Sequence, residues 1–169
     1  MYEILILLFD ICLFRKGPED MPYSKGLFKA LLIGYACVRA LMLSMHFSTL
    51  TVLLHILVDI VFILGAIVLM LYLTQKMQRF CQVSSAVLGT DAIISFLALP
   101  GVATMEVHQG GLLVLLVTLS LIVWHWLVMG NIVSKSIEKP ISFGLGLAFL
   151  YLYLIYQVMA KLFPGVSVY

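Results

Sequence analysis

The chain has 169 residues, of which 63% are hydrophobic and only 11% are Asp, Glu, Lys or Arg. A soluble domain carries about 25% charged residues and a small one exposes much of its chain, so this composition excludes a water-soluble fold. The hydrophobic residues suffice for roughly five membrane spans of about 20 residues each. The composition therefore predicts one integral membrane domain over residues 1–169, an all-α, polytopic bundle of transmembrane helices.

The N-terminal segment predicts a short interfacial helix over residues 2–14. Glu3 and Asp10 are seven residues apart, so a helix places both on one stripe, with Ile, Leu and Phe around the rest. The segment is too short to span a bilayer, and it lacks the basic start and cleavage site of a signal peptide. The glycine and prolines of the following RKGPEDMPYSKG segment predict the end of this helix.

Five longer apolar stretches follow, and the short connections between them predict that consecutive helices are antiparallel neighbours. The basic residues are distributed unevenly, because eight lie on the side of the N-terminus and none lies in the two opposite connections. This asymmetry predicts a cytoplasmic N-terminus and a C-terminus outside. The predicted spans are about 27–46, 49–74, 83–100, 111–133 and 141–163. The eight cations are Arg15, Lys16, Lys25, Lys29, Lys76, Arg79, Lys135 and Lys139.

Three charged residues fall deep inside the predicted spans, where each costs about 2.5–3.5 kcal/mol at a helix centre and needs a partner or a wet cavity. At about 1.5 Å per residue, Arg39 and Asp59 lie roughly 15–18 Å deep on adjacent helices, and Asp91 lies about 12 Å deep. The depths predict an Arg39–Asp59 ion pair with Asp91 nearby. A pair that fixes helix packing is favoured over a proton or ion relay. Asp91 follows Gly89 and Thr90, so capping of a local helix break and simple pairing are equal alternatives for it.

The interiors of the spans also contain two histidines. His55 is four residues before Asp59, on the same helix face, and His125 lies between Trp124 and Trp126. We interpret His55 as a hydrogen-bonded packing residue rather than a proton carrier. Because indoles favour the membrane interface, His125 is also interpreted as a packing residue.

The sequence contains no recognised catalytic motif, and the chain is predicted to be a non-enzyme without a metal or cofactor. The HILVD segment has three residues between His and Asp, where the acyltransferase signature needs four. Cys12, Cys37 and Cys81 are isolated, without a CxxC pair or a histidine at metal spacing, and are interpreted as packing residues. Topology explains the basic residues, so nucleic-acid binding is not indicated.

Small residues four apart predict sites where helices approach closely, either within the chain or against a partner. We interpret three tyrosines of the last span, Tyr151, Tyr153 and Tyr156, as interface and packing aromatics rather than a ligand cage. The small pairs are Ser85 with Gly89, Ser142 with Gly146, and Gly144 with Ala148.

The short opening segment RKGPEDMPYS, the third span GTDAIISFLALP and the five-span topology resemble the Yip family of small membrane proteins and its bacterial relatives. In particular, ICLFRKGPEDMPYS resembles the start of five-span proteins of proteobacterial inner membranes. The resemblance implies the bacterial cytoplasmic (inner) membrane as the location, with the ER or Golgi membrane as the alternative. In eukaryotes the family implies vesicle traffic with small GTPases, whereas the bacterial relatives imply no activity and no catalytic residues.

Two functions follow as expectations. The first is a non-enzymatic accessory or assembly subunit that contacts the lipid bilayer and a membrane-protein partner or a second copy of itself. The alternative is a small proton- or ion-coupled transporter or channel that uses Arg39, Asp59, Asp91 and His55. A wet cavity at these residues favours transport, whereas a dry pair with small-residue faces turned outward favours assembly.

Overall fold

A computed structural model describes residues 2–44, 47–106 and 111–163 of the chain. These residues form an all-helical fold with no strand, as predicted, and five of the six helices are long and apolar enough to cross a membrane. The chain is therefore an integral membrane protein. The helices are α1 Tyr2–Cys12, α2 Lys25–Ser44, α3 Thr49–Leu73, α4 Phe80–Glu106, α5 Leu112–Ile137 and α6 Ile141–Leu162.

Helix α4 lies at the centre of the bundle and contacts α1, α2, α3 and α5. Its first half is rich in small residues, and Ser84, Ser85 and Ala86 are fully buried. Small side chains let neighbouring backbones approach closely in a membrane. This accounts for the close packing of α2 along α4, although the two helices are not consecutive.

The consecutive helices α4, α5 and α6 are antiparallel neighbours, as the short connections predict. Gly101 of α4 lies opposite Thr118 of α5, whereas Asp91, ten residues earlier, lies opposite His125. Helices α5 and α6 pack closely, with Gly130 against Leu145. The three helices therefore form a continuous layer beside α2 and α3.

Helix α1 packs against α4 and α5 through Leu8, Ile11 and Cys12, which are buried. The Leu8 side chain fills the space over Gly89 of α4, where an added Cβ would lie 2.6 Å from a Leu8 methyl. The helix ends at Cys12 rather than at the predicted residue 14, because Phe14 has a left-handed φ of 63°. A left-handed residue cannot continue a right-handed helix.

Two predicted ends in the second half of the bundle are too early. Helix α4 continues through Pro100 to Glu106, because a transmembrane helix tolerates a proline whose lost backbone bond is compensated locally. Helix α5 continues past residue 133 to Ile137, and the Ser136 hydroxyl donates to the Ile132 carbonyl at 2.6 Å. Helix α2 ends at Ser44, and residues 45–46 of the predicted first span lie outside the described residues.

The segments that carry the predicted inner cations meet at one end of the bundle. The Lys135 ammonium donates to the Lys16 carbonyl at 3.1 Å, and the Gln82 amide donates to the Met21 carbonyl at 2.7 Å. Lys76, which follows α3, forms an ion pair with Glu138, which follows α5. We call this end the basic end, and it carries Arg15, Lys16, Lys25, Lys29, Lys76, Arg79, Lys135 and Lys139.

Candidate functional site: a buried polar cluster

Asp59 of α3 accepts three hydrogen bonds from α2 on one carboxylate oxygen. The Tyr35 hydroxyl donates to Oδ2 at 2.5 Å, and Arg39 donates through Nε at 2.9 Å and Nη2 at 2.6 Å. Tyr35 and Arg39 are four residues apart, so they share a helix face, and the guanidinium lies 5.8 Å from the phenol ring centroid. The structure thus brings Arg39 and Asp59 together and adds Tyr35, which the sequence reasoning missed.

Asp91 of α4 contacts His125 of α5, with 3.3 Å between Oδ1 and Nε2. This is ion-pair distance, although the two groups are not aligned as a hydrogen bond. Asp91 is also within coulombic range of Arg39. Helix α4 is unbroken here, so the alternative in which Asp91 caps a helix break is wrong. The Thr90 hydroxyl donates back to the Ala86 carbonyl of the same helix at 2.8 Å.

The two tryptophans beside His125 attach α5 to its neighbours. The Trp124 indole donates to the Cys12 carbonyl of α1, and the Trp126 indole donates to the Leu145 carbonyl of α6, both at 3.0 Å. These two bonds fix the rotation of α5 about its axis and turn His125 toward α4. His125 is therefore part of a polar contact as well as of the packing, a role that its position between two indoles did not reveal.

His55 lies one turn from Asp59 and is 2% exposed. Its ring packs against Phe163 with centroids 5.1 Å apart. Neither imidazole nitrogen has a hydrogen-bond partner among the described residues, so the predicted hydrogen bond is not found there. The packing interpretation fits the Phe163 contact. An unpaired buried imidazole costs free energy, which makes His55 the least satisfied member of the site.

We call Tyr35, Arg39, His55, Asp59, Asp91 and His125 the polar cluster. Neither of the two principal cavities in the described part of the chain is lined by a member of the cluster. The larger cavity, of about 570 Å³, has an apolar lining from α3 to α6. Tyr151 of α6 lies between this cavity and the cluster, since it lines the cavity and is within coulombic range of Asp59. Neither of these two cavities therefore opens onto the polar cluster.

The small-residue pairs divide between the inside and the outside of the bundle. Ser85 and Gly89 are buried in α4, where α1 covers Gly89. Gly144 and Ala148 are buried on α6, and Gly144 lies against the backbone of α5. Ser142 and Gly146 are exposed, and an added Cβ at Gly146 would meet nothing within 4 Å. Two of the pairs therefore pack against other helices of this chain, and the pair on the exposed face of α6 is uncovered.

A second free small-residue face lies on α2. Gly26, Ala30 and Gly34 are spaced by four residues and all are exposed. Cys37 continues this face and is exposed, so it does not pack within the described part of this chain, whereas Cys12 is buried. Burial raises the pKa of the Cys12 thiol to about 11. The spacing on α2 was visible in the sequence, but which of its faces stays uncovered was not.

No group of three or more metal-ligating side chains occurs within residues 2–44, 47–106 and 111–163. Comparison of the chain with family models, curated proteins and solved structures returned no match.

Proposed function

We propose that this protein is a non-enzymatic accessory or assembly subunit that docks to a transmembrane helix of another membrane protein through α2. The observation that carries the proposal is the row of Gly26, Ala30 and Gly34 on the exposed face of that helix. Helices in lipid associate by close packing and not by hydrophobic burial, so small residues mark their contacts. No helix of the described chain covers this row.

Helix α2 is suited to receive a partner because it is the least buried of the five spans. An added Cβ at Gly34 would meet nothing within 4 Å, so a second helix can approach its backbone. Ile33 and Leu41 flank the row and are 64% and 58% exposed. They supply the larger side chains that pack around a small-residue contact. This face has the composition of a helix interface.

The exposed pair on α6, Ser142 with Gly146, is less suited to contact a partner helix. Gly146 lies between Phe143 and Phe149, which are 53% and 63% exposed. Rings one turn before and after this glycine keep a second helix at a distance, whereas the exposed residues one turn from the last α2 glycine, Ala30 and Cys37, are small. We therefore assign the docking surface to α2 and not to α6.

The polar cluster supports an assembly role because its charges are used within the chain. Asp59 accepts hydrogen bonds from Tyr35 and Arg39 on one oxygen, and Asp91 lies 3.3 Å from the ring nitrogen of His125. Such contacts fix how α2, α3, α4 and α5 pack and keep the α2 face in one position. We further propose that the basic end faces the cytoplasm, as its cations favour, and that the membrane is the bacterial cytoplasmic membrane.

Co-purification in mild detergent tests the docking surface. We expect the wild-type protein to retain a partner, Gly34→Leu to lose it, and Gly146→Leu to retain it. Both glycines have open space around them, so equal melting temperatures of the two variants separate docking from folding. Recovery of the wild-type protein alone and monomeric, or equal loss in both variants, contradicts the proposal. An oxidised Cys37–Cys37 cross-link in membranes identifies a second copy as the partner.

A second candidate function is proton- or ion-coupled transport. It is favoured by the series of titratable groups formed by His55, Asp59, Asp91 and His125, of which His55 has two unpaired ring nitrogens among the described residues. Proton flux into proteoliposomes tests it. Flux that is lost in His55→Phe and in Asp59→Asn combined with Arg39→Gln supports transport. Unchanged flux in both variants excludes a relay through the cluster.

A further inference from the structure

An apolar groove runs along the surface between α3 and α6, with α4 and α5 at its base. It is the cavity of about 570 Å³ described above, and its base includes Val83, Val87 and Met129. The residues at its edges, such as Leu69 of α3 and Leu150 of α6, are exposed. The groove therefore opens sideways, toward the hydrocarbon of the bilayer.

The groove is somewhat longer than the hydrocarbon part of one leaflet. On α3 it extends from Val61 to Thr74, which at about 1.5 Å per residue is roughly 20 Å. Half of the hydrocarbon core is about 15 Å thick. At the upper end, Phe62 and Tyr151 meet with ring centroids 5.9 Å apart and separate the groove from the polar cluster. The lower end is at the basic end of the bundle.

The lining of the groove suits an acyl chain. The side chains around it are almost all apolar, as an acyl chain is over its whole length. A single acyl chain is also much thinner than a helix, which is about 10 Å across with its side chains. The exposed Gly65, over which an added Cβ would meet nothing within 4 Å, widens the groove for such a chain.

The lower end of the groove carries a surplus of positive charge. Thr74 and Ile137 line the groove, and just beyond them Lys76 and Glu138 form an ion pair with Nζ 2.7 Å from Oε2. The Arg79 guanidinium contacts the same carboxylate at 2.8 Å, and Lys139 follows in the chain. Two cations thus contact one carboxylate, which leaves a positive charge uncompensated. Lys76 and Arg79 keep unused N–H donors that suit a phosphate.

We propose that the groove binds one acyl chain of an anionic phospholipid from the leaflet at the basic end, and that Lys76 and Arg79 bind its phosphate. Basic pockets next to transmembrane helices recognise anionic headgroups in this way. An acyl chain alone would contact only the apolar groove, and a soluble anion would contact only the two cations. The proposal does not depend on the docking function, since no residue of the α2 row lines the groove.

Photolabelling of the full chain in phosphatidylcholine vesicles tests the site. The probes are phosphatidylglycerol and phosphatidylcholine that carry the same diazirine acyl chain, each added as a trace component. We expect phosphatidylglycerol to label the α3 and α6 peptides that line the groove, in preference to phosphatidylcholine. Equal labelling by both probes, or labelling spread over all helices, overturns the proposal.

Two pairs of matched variants separate the headgroup from the acyl chain. Lys76→Gln with Arg79→Gln is expected to remove the preference for phosphatidylglycerol, by about five-fold for each cation. Lys25→Gln with Lys29→Gln removes the same charge from the same end and is expected to retain the preference. Gly65→Phe fills the groove and is expected to reduce labelling by both probes, whereas Gly146→Phe, outside the groove, is not. An equal effect of the two double variants contradicts the headgroup site.

Discussion

The protein pairs arginine with a carboxylate at two places that differ in depth. Arg39 contacts Asp59 at 2.6 Å in the polar cluster, and Arg79 contacts Glu138 at 2.8 Å at the basic end. The distances are nearly the same, but the Asp59 side chain is 3% exposed and that of Glu138 is 60% exposed. Solvent screens the outer pair and not the inner one, so equal geometry predicts unequal energies.

The largest effect is expected from Asp59→Asn, which leaves the guanidinium of Arg39 in the bundle without the carboxylate that it contacts. Removal of one partner from a buried ion pair costs about 3–5 kcal/mol. We expect a loss of this size in the free energy of unfolding, measured by thermal or SDS-induced unfolding in detergent. A loss below about 1 kcal/mol, the size found for surface pairs, contradicts the burial argument.

The triple variant Tyr35→Phe, Arg39→Met and Asp59→Leu is expected to recover most of that loss. Apolar side chains of similar volume replace a buried ion pair without penalty in several proteins, because no charge has to leave water. The same unfolding measurement is compared with Asp59→Asn alone. If the triple variant is the less stable of the two, the cluster contributes packing that apolar residues cannot reproduce.

Two glycines of α6 extend the contrast between inside and outside to helix packing. In Gly144→Ala the new methyl collides with the Gly130 carbonyl and comes within 2.8 Å of the Ser134 nitrogen. Overpacking of this kind costs about 1–3 kcal/mol. Gly146→Ala meets open space and is expected to be neutral or stabilising by less than about 1 kcal/mol. Melting temperatures measure both variants, and equal values contradict the packing described for α5 and α6.

A much smaller effect is expected from Glu138→Gln at the basic end. The carboxylate is exposed, and solvent and salt screen its contacts with Lys76 and Arg79. We expect the melting temperature in detergent to remain that of the wild-type protein. A shift approaching that of Asp59→Asn would show that the two ion pairs are energetically alike.

The smallest effect concerns the titration of Glu138. Its pKa is lowered from the ordinary value of 4.5 by the hydrogen bond from Lys76, then by the charges of Lys76 and Arg79. A lowered pKa means that the contacts are present above pH 4.5 and are lost as the pH falls through the folded value. NMR of labelled carboxyl groups measures this midpoint. We expect it below 4.5, and closer to 4.5 in Lys76→Gln; a wild-type midpoint at or above 4.5 contradicts the pairing.

Depth along the helices was enough to predict one contact of the polar cluster and not the others. Arg39 and Asp59 lie on consecutive helices joined by a short connection, so similar depths imply proximity. The Tyr35 contact was not predicted, because an uncharged hydroxyl does not carry the cost inside a span that singles out a charged residue. Tyr35 nevertheless lies one turn before Arg39. The Asp91–His125 contact depends on how α4 and α5 are rotated about their axes, which the Trp124 and Trp126 bonds decide.

By itself the sequence determined that this is a membrane protein, that it is all-helical with five spans, and that its cations gather at one end. Each of these follows from the hydropathy and charge of single segments, which determine whether a segment crosses the bilayer and in which orientation. Only the tertiary structure decided that α2 packs along α4, that Gly144 is covered and Gly34 is not, and that a groove lies beside α3. Any face of an apolar helix can contact lipid as well as protein, so hydropathy cannot distinguish inner from outer faces. Side-chain packing between the helices determines which face is covered.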